Sequence, residues 1–220
     1  MSMLRKDRVD YGVYLVTDTR LCAGRSIADV AGEAVAGGVS VVQLREKNLP
    51  TRDFVERARA LKALLAPAGV PLIINDRVDV ALAAGADGVH VGQGDMHPAD
   101  VRSLLGPEAI VGLSVENRAQ AKAAENATVD YLGVSPVFAT GTKLDAASPW
   151  GLEGVRSLRL VTRHILVAIG GIGASNAAEV LLAGADGLAV VSAICAAPEP
   201  RVAAQTLRQV VDTVRGPWIK

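Results

Sequence analysis

The strongest constraint on the fold is a repeated alternation of short aliphatic runs, many of them β-branched, with Ala-rich amphipathic runs. The short runs are almost continuously apolar, as expected of parallel strands that are covered on both faces. The eight strand candidates are residues 11–18, 39–45, 71–76, 88–92, 110–115, 131–136, 165–171 and 187–193. Strands that alternate with helices in this way predict an α/β fold, a (β/α)8 TIM barrel. An open doubly wound sheet is the alternative, but it seldom gives such even repeats.

The length and the local signals agree with a barrel. We expect a single domain over residues 1–220, with the barrel core at about 11–195 and a C-terminal helix at about 198–215. Ser26 and Ser175 are predicted to cap helices, and Pro98 suits a first helical position. The pattern A-G-A-D-G occurs twice before a strand, and its acids, Asp87 and Asp186, are predicted to be turn or capping residues at the N-terminal end of the barrel.

The composition limits the possible partners and the compartment. The 23 basic and 23 acidic residues give a formal net charge of zero, so nothing favours nucleic acid or a membrane surface. The N-terminal stretch lacks an apolar signal core and no apolar run reaches about 18 residues, which predicts a soluble cytoplasmic protein. Cys22 and Cys195 lack metal-ligand spacing, and a disulfide is not expected. The sequence carries no signal of oligomeric state.

Polar residues follow nearly every predicted strand. In a parallel barrel the carboxyl ends of the strands meet at one mouth, where active sites lie. We therefore expect these residues to converge on one site. They are Gln43, Arg45, Glu46, Lys47, Asn75, Asp76, Gln93, Asp95, Ser114, Thr140, Thr142, Lys143, Gly170, Gly171, Gly173, Val191 and Ser192.

Asp76 and Asp95 lie on neighbouring loops of the predicted barrel. Two carboxylates at one mouth could hold Mg²⁺, with water and substrate phosphate completing its octahedral shell. The alternatives are that Asp76 caps the following helix and Asp95 occupies a turn, or that the two act as a general acid and base.

The cationic side chains predict an anion site. Arg45 and Lys47 alternate along one strand end and could share a face, with Glu46 pointing the other way; solvated surface charge is the alternative. Lys143 lies in the T-G-T-K stretch of a long connection, at about residues 136–151, which could be a lid. A second, uncharged phosphate site is predicted at the last two strands, where Gly171 and Ser192 would offer donors.

These motifs resemble the thiamine-phosphate synthase (thiamine-phosphate pyrophosphorylase) family. The matching stretches are QLREK, IIND, GVHVGQGD, GLSV, the TGTK loop, IGGI and VSAI, in the family's order from about residue 11 to 195. The resemblance implies a Mg²⁺-dependent transferase of thiamine biosynthesis with two small phosphorylated substrates. It would condense 4-amino-2-methyl-5-(diphosphooxymethyl)pyrimidine with a 4-methylthiazole ethyl phosphate, giving thiamine phosphate and pyrophosphate.

The resemblance also assigns residues. Asp76 and Asp95 would bind the metal, and Arg45, Ser114 and Lys143 would be catalytic. The pyrimidine diphosphate would contact Gln43, Leu44, Arg45, Glu46, Lys47, Asn75, Ser114 and Lys143. The thiazole phosphate would contact Thr140, Gly141, Thr142, Gly171, Val191 and Ser192.

Two stretches depart from the family's frequent pattern. GQGD has a glycine where an acid is frequent, and SPVF stands where GP is frequent. Neither change removes a proposed ligand, although the first leaves one fewer acid near the metal. His90, inside the fourth strand candidate, is predicted to be a packed, hydrogen-bonded core histidine.

Two other functions remain alternatives at this level. A thiazole tautomerase on a similar barrel would need neither diphosphate nor metal, and a phosphate-sensing barrel would bind a ligand without turnover. The acids at 76 and 95 together with Lys143 favour the synthase over both.

Overall fold

The computed structural model describes residues 9–141 and 148–216. Within them, eight parallel strands form a closed barrel in sequence order, with β8 hydrogen-bonded to β1. The predicted barrel is confirmed, and each observed strand lies inside its predicted stretch. The strands are β1 (Val13–Val16), β2 (Val41–Leu44), β3 (Leu72–Asn75), β4 (Gly88–Val91), β5 (Ile110–Val115), β6 (Tyr131–Val134), β7 (Ile165–Ile169) and β8 (Gly187–Val190).

Helices occupy the gaps between strands and cover the outside of the barrel. Short 3-10 segments precede α1 and follow α2, at Thr19–Cys22 and Ala66–Ala68. The α-helices are α1 (Ile27–Ala36), α2 (Thr51–Leu65), α3 (Val78–Ala84), α4 (Pro98–Leu105), α5 (Arg118–Ala124), α6 (Gly151–Arg159), α7 (Ala177–Leu182), α8 (Ser192–Cys195) and α9 (Pro200–Arg215).

The apolar core has two parts. The larger part fills the layer between the strands and the helices and is dominated by Val, Leu, Ile and Ala. The smaller part lies inside the barrel and includes Tyr11, Tyr14, Val16, Tyr131 and Val167. Burial of aliphatic side chains on both faces of the strands explains why they read as continuous apolar runs.

The helix signals in the sequence were mostly right. Ser26 caps α1, because its hydroxyl oxygen accepts the Asp29 N–H at 3.0 Å, and Pro98 is the first residue of α4. The predicted cap at Ser175 is wrong, since α7 begins one residue later with Asn176 at the cap position. The Asn176 side chain instead accepts the N–H of Gly173 and so holds the preceding glycine loop.

One arrangement recurs at the N-terminal end of the barrel; we call it a clasp. An aspartate just before an even-numbered strand accepts a hydrogen bond from the N–H of the first or second residue of the preceding strand. The same aspartate pairs with a cationic side chain from the helix that precedes that strand. Among the described residues it occurs at Lys62, Leu72 and Asp87; at Arg102, Val111 and Asp130; and at Arg159, Leu166 and Asp186. Asp87 and Asp186 thus lie at the N-terminal end of the barrel as predicted, but they bind a strand N–H and a cation and do not cap a helix.

The strand pair β1 and β2 makes the corresponding contacts with different residues. Ser40 precedes β2 and its hydroxyl oxygen accepts the Val13 N–H at 3.2 Å. The cation comes from the last helix, where Arg208 pairs with Asp10 at 2.7 Å. This contact ties the residues just before β1 to the last helix of the described chain.

In the described part of the chain, none of the helices combines the length and the apolar character needed to cross a bilayer. Cys22 and Cys195 are both buried as free thiols, and burial raises the pKa of each thiol.

Candidate active site

A cavity of about 390 Å³ opens at the carboxyl ends of the strands. This volume lies in the range of small-molecule sites. The barrel topology brings together residues that the sequence places far apart. Those predicted residues that line the cavity are Gln43, Arg45, Lys47, Asn75, Asp76, Gln93, Asp95, Ser114, Thr140, Gly170, Gly171, Val191 and Ser192.

Arg45 is fixed at the mouth by residues that follow β1. Its backbone N–H donates to the Thr17 hydroxyl at 3.1 Å, and its guanidinium lies 3.7 Å from the carboxylate of Asp18. Asp18 is buried and also binds Arg20 through both of its oxygens. The hydrogen bonds from Arg20, reinforced by the charge of Arg45, hold the pKa of the Asp18 carboxyl below its usual range. Arg45 is therefore held at the mouth of the barrel, half-buried, beside a charged partner.

Lys47 and Asp76 form an ion pair across the mouth, with 2.6 Å between Nζ and Oδ2. Asp76 has a φ of 62°, in the left-handed region that non-glycine residues seldom adopt. Its N–H donates to the His90 carbonyl at 2.9 Å, which ties this turn to β4. The strained turn directs the carboxylate to the cavity instead of to the helix that follows.

Asp95 lies in the loop after β4, where its carboxylate accepts the Gly92 N–H at 2.7 Å. Asp76 and Asp95 line the same cavity, as the metal prediction requires. Within the described residues, no group of three or more His, Cys, Asp and Glu side chains could hold a metal ion. Two carboxylates still fit the usual protein share of a Mg²⁺ shell, the rest coming from water and phosphate oxygens.

A chain of hydrogen bonds crosses the floor of the cavity. The Gln43 amide donates to the Tyr14 hydroxyl at 2.8 Å, and the hydroxyls of Tyr14 and Tyr131 lie 2.8 Å apart. Tyr131 is 2.9 Å from His90 Nδ1, and His90 Nε2 is 2.8 Å from the Ser114 hydroxyl. Burial raises the pKa of both tyrosines, which keeps the phenols protonated. His90 is hydrogen-bonded, as predicted, but it also lines the cavity.

Two glycines make room for this chain. A Cβ on Gly112 would lie 2.4 Å from the Tyr131 hydroxyl and 2.5 Å from His90 Nδ1. A Cβ on Gly133 would lie 2.8 Å from His90 Cε1. A glycine within a strand often marks such a close approach, and here it admits polar rings to the barrel interior.

The opposite side of the cavity is formed by the loops after β6, β7 and β8. Gly171 has a φ of 64°, and a Cβ there would lie 2.8 Å from the Ala139 carbonyl oxygen. This close packing places Gly171 beside Thr140, Val191 and Ser192 along the cavity wall. Gly141 lies in an adjoining hollow that shares Thr140, Gly171 and Ser192 with the cavity.

Four residues assigned from the resemblance lie elsewhere or cannot be placed. The Leu44 side chain is fully buried in the layer between strands and helices. Glu46 points away from the cavity, as the alternation predicted, and accepts hydrogen bonds from Thr19 and Arg57. Side-chain contact of Leu44 or Glu46 with a ligand in the cavity is therefore not supported. Thr142 and Lys143 lie outside the described residues.

Sequence reasoning missed several lining residues. Tyr14, Tyr131 and Glu116 line the cavity without having been singled out, and His90 was assigned to the core. A usable signal existed in Gly112 of β5, which pairs with His90 on β4 and with Tyr131 on β6 and so leaves room for both rings. In strands buried on both faces, apolar periodicity does not show which residues point inward.

A closed parallel barrel with a polar, charged cavity at the carboxyl ends of its strands is the arrangement of barrel enzymes that act on small molecules. Comparison with known proteins gives the family. Residues 13–194 match the family described as thiamine monophosphate synthase. The chain therefore belongs to the thiamine monophosphate synthase family, as its motifs predicted.

Individual relatives agree over nearly the whole chain. A thiamine-phosphate synthase from Albidiferax ferrireducens is 61% identical over 202 residues, covering 92% of each chain. One from Xanthobacter autotrophicus is 56% identical, covering 94% of this chain and 98% of the relative. The solved structure of a thiamine phosphate pyrophosphorylase from Pyrococcus furiosus superposes with a TM-score of 0.87 at 39% identity, covering 95% of this chain and 99% of that one.

Proposed function

We propose that the protein is a transferase that joins the two phosphorylated substrates named by the resemblance, forming thiamine phosphate and releasing pyrophosphate. The relatives' names support this reaction. The observation that carries the proposal is the division of one cavity into two unlike sides. One side holds Arg45, Lys47, Asp76 and Asp95, and the other is an uncharged wall of backbone and hydroxyl groups.

The charged side suits the pyrimidine diphosphate. Arg45 offers a planar, bidentate donor and Lys47 a compact charge, which together match the oxygens of a diphosphate. Gln43, Asn75 and Ser114 line the cavity within the barrel below these cations and would contact the pyrimidine ring. Leu44 and Glu46 would reach the substrate only through their backbone, and Lys143 would join from the long loop.

The uncharged side suits a monophosphate. Thr140 and Ser192 supply hydroxyls, and Gly171 lets the backbone approach a ligand closely. Gly141, Thr142 and Val191 would complete this contact with the thiazole phosphate. The two substrates would then face each other across the cavity with their reacting atoms between the two sides.

Mg²⁺ is part of the proposal. Asp76 and Asp95 would hold it, and when bound it would neutralise charge on the diphosphate. Lys47 now occupies one carboxylate oxygen of Asp76. With Asp76 and Asp95 holding the metal, the Lys47 ammonium group would be available to the diphosphate.

The chain's own residues account for the remaining steps. The bond from the pyrimidine CH₂ carbon to the diphosphate oxygen breaks, and its electron pair leaves with pyrophosphate. The thiazole nitrogen lone pair then forms the new C–N bond. Arg45 and Lys143 would stabilise the charge that grows on the leaving oxygens, more strongly in the transition state than in the substrate. The two sides of the cavity hold the reactants close together.

Pyrophosphate release from the two substrates, with and without Mg²⁺, tests the proposal. The synthase should release pyrophosphate only when both substrates and the metal are present. Omitting either substrate provides the control. Isomerisation of a thiazole phosphate with no pyrophosphate release would instead identify a tautomerase and refute the synthase reaction.

We also infer a cytoplasmic location, in keeping with the free thiols of Cys22 and Cys195, which suit a reducing compartment. The proposed partners are the two small substrates; the balanced charge gives no support for nucleic acid or membrane binding.

A further inference from the structure

The hydrogen-bond chain on the cavity floor joins two residues of the proposed pyrimidine site, Gln43 and Ser114, through three buried or half-buried side chains. Each contact in the chain is between 2.8 and 2.9 Å. Tyr14, Tyr131 and His90 lie between the two end residues. Once the donor of the first hydrogen bond is known, the donor and the acceptor of each following hydrogen bond are determined in turn.

The direction of the chain follows from the donor at its first bond. The Gln43 Nε2 group can only donate, so the Tyr14 oxygen accepts. The Tyr14 proton then goes to Tyr131, because leaving a buried hydroxyl donor unpaired costs about 1–3 kcal/mol. Tyr131 in turn donates to Nδ1 of His90. A neutral imidazole whose Nδ1 accepts must carry its proton on Nε2.

We propose that Tyr131 holds His90 as the Nε2–H tautomer, and that His90 thereby turns the Ser114 hydroxyl proton toward the cavity. Ser114 accepts from His90 and so presents a donor to the substrate. Gln43, with its amide nitrogen committed to Tyr14, presents its carbonyl oxygen as an acceptor. The chain thus fixes one donor and one acceptor at separate points of the floor.

This polarity rests on the proposed function for its substrate. A 4-aminopyrimidine carries an amino donor and ring-nitrogen acceptors, so it needs the acceptor and the donor that Gln43 and Ser114 present. Tyr14, Tyr131 and His90 are positioning residues in this scheme. They act through Gln43 and Ser114 and orient hydrogen bonds before the substrate arrives.

The first test needs no substrate. Imidazole ¹⁵N chemical shifts of the full-length protein near neutral pH distinguish the two neutral tautomers, and the spectrum of His90→Gln identifies the His90 signals among the three histidines. We expect the Nε2–H tautomer in the wild-type protein. A predominant Nδ1–H tautomer or an imidazolium at His90 would overturn the proposal, whatever reaction the protein catalyses.

The second test compares two tyrosines of the same buried cluster. Tyr131→Phe removes the hydroxyl that holds Nδ1, whereas Tyr11→Phe removes a buried hydroxyl that has no hydrogen-bond partner among the described residues. The rings of Tyr11 and Tyr131 lie 5.0 Å apart, so the two variants perturb neighbouring packing. We expect kcat/KM for pyrophosphate release to fall about tenfold in Tyr131→Phe and to change less than about twofold in Tyr11→Phe.

The His90 tautomer and kcat/KM are compared in the same variant. In Tyr131→Phe the His90 signals should shift to a mixture of tautomers along with the loss of kcat/KM. A variant that keeps both the Nε2–H tautomer and the wild-type kcat/KM would refute the role of Tyr131. If Tyr131→Phe does not fold, the tautomer of the wild-type protein decides the question. Absence of pyrophosphate release in the wild type would refute the synthase function alone.

Discussion

Lys47 Nζ lies 2.6 Å from Asp76 Oδ2, so a cation proposed for the diphosphate is paired with an acid proposed for the metal. The Lys47 side chain is 53% exposed and that of Asp76 25%. An ion pair of this exposure is worth roughly 0–1 kcal/mol. On the proposed assignment, separating the two groups would therefore cost little, and each would be available to its own ligand, Asp76 to the metal and Lys47 to the diphosphate.

Asp76→Asn tests the metal assignment. Asparagine also tolerates the left-handed backbone at this position, so the fold should be kept while the charge is lost. We expect Mg²⁺-dependent pyrophosphate release to fall on the order of a hundredfold. Asp53→Asn, on the exposed side of α2, is the matched control. Wild-type activity in Asp76→Asn would remove this carboxylate from the metal site.

Lys47→Gln should separate the two roles of the ion pair. Without the competing ammonium group, the free protein should bind Mg²⁺ a few-fold more tightly, in line with an exposed pair worth under about 1 kcal/mol. The KM for the pyrimidine diphosphate should rise, because a phosphate contact is lost. Calorimetry with Mg²⁺ alone and steady-state kinetics measure the two effects. Weaker Mg²⁺ binding would contradict the competition.

Lys143→Ala tests the charge supplied by the long loop. If charge grows on the leaving group next to this lysine, kcat should fall more than about tenfold at saturating substrates. Lys122→Ala, exposed on α5, controls for the loss of a lysine. An unchanged kcat in Lys143→Ala would exclude this residue from the mechanism.

Gly133→Ala tests whether the glycines shape the cavity floor. Its Cβ would lie 2.8 Å from the His90 ring, and overpacking of this kind costs typically about 1–3 kcal/mol. We expect a lower free energy of unfolding in urea and slower pyrophosphate release. Gly32→Ala in α1 meets only ordinary contacts at 3.9 Å and should stabilise the helix by up to about 1 kcal/mol. Equal stability of the two variants would be inconsistent with the crowding at His90.

Asp18→Asn should change the pH dependence of stability. The pKa of Asp18 is lowered in the folded protein by Arg20 and Arg45. Its charge therefore stabilises the fold above the unfolded pKa of about 3.9, and this contribution is lost as pH falls through the lower folded pKa. The wild type should exceed the variant in urea stability at pH 7, and the difference should shrink below about pH 4. A constant difference across this range would contradict the role of the charge.

The barrel and the charged side of the site could be predicted from the sequence alone. Parallel strands that are buried on both faces can be recognised in a sequence as short aliphatic runs. Closing these strands into a barrel brings their carboxyl ends together. Asp76 and Asp95 were predicted to share a mouth on this basis alone, and both line the cavity.

What the sequence did not reveal depends on contacts between distant strands. The apolar runs hide which residues of a strand face inward, so the chain from Gln43 to Ser114 was not predicted. The pairing of Lys47 with Asp76 depends on two loops whose relative position only the fold determines. Ser175 does not cap α7, because Asn176 occupies the cap position and its side-chain oxygen accepts the N–H of Gly173 in the glycine loop.

The clasps at the N-terminal end have a consequence for biosynthesis. Lys62, Arg102 and Arg159 each pair with an aspartate that follows within 28 residues in the sequence, so both partners are synthesised close together in time. Arg208, by contrast, must reach back to Asp10 at the other end of the described chain. The three clasps thus join residues 25 to 28 positions apart, whereas the contact of the last helix with Asp10 joins residues 198 positions apart and can form only after that helix has been made.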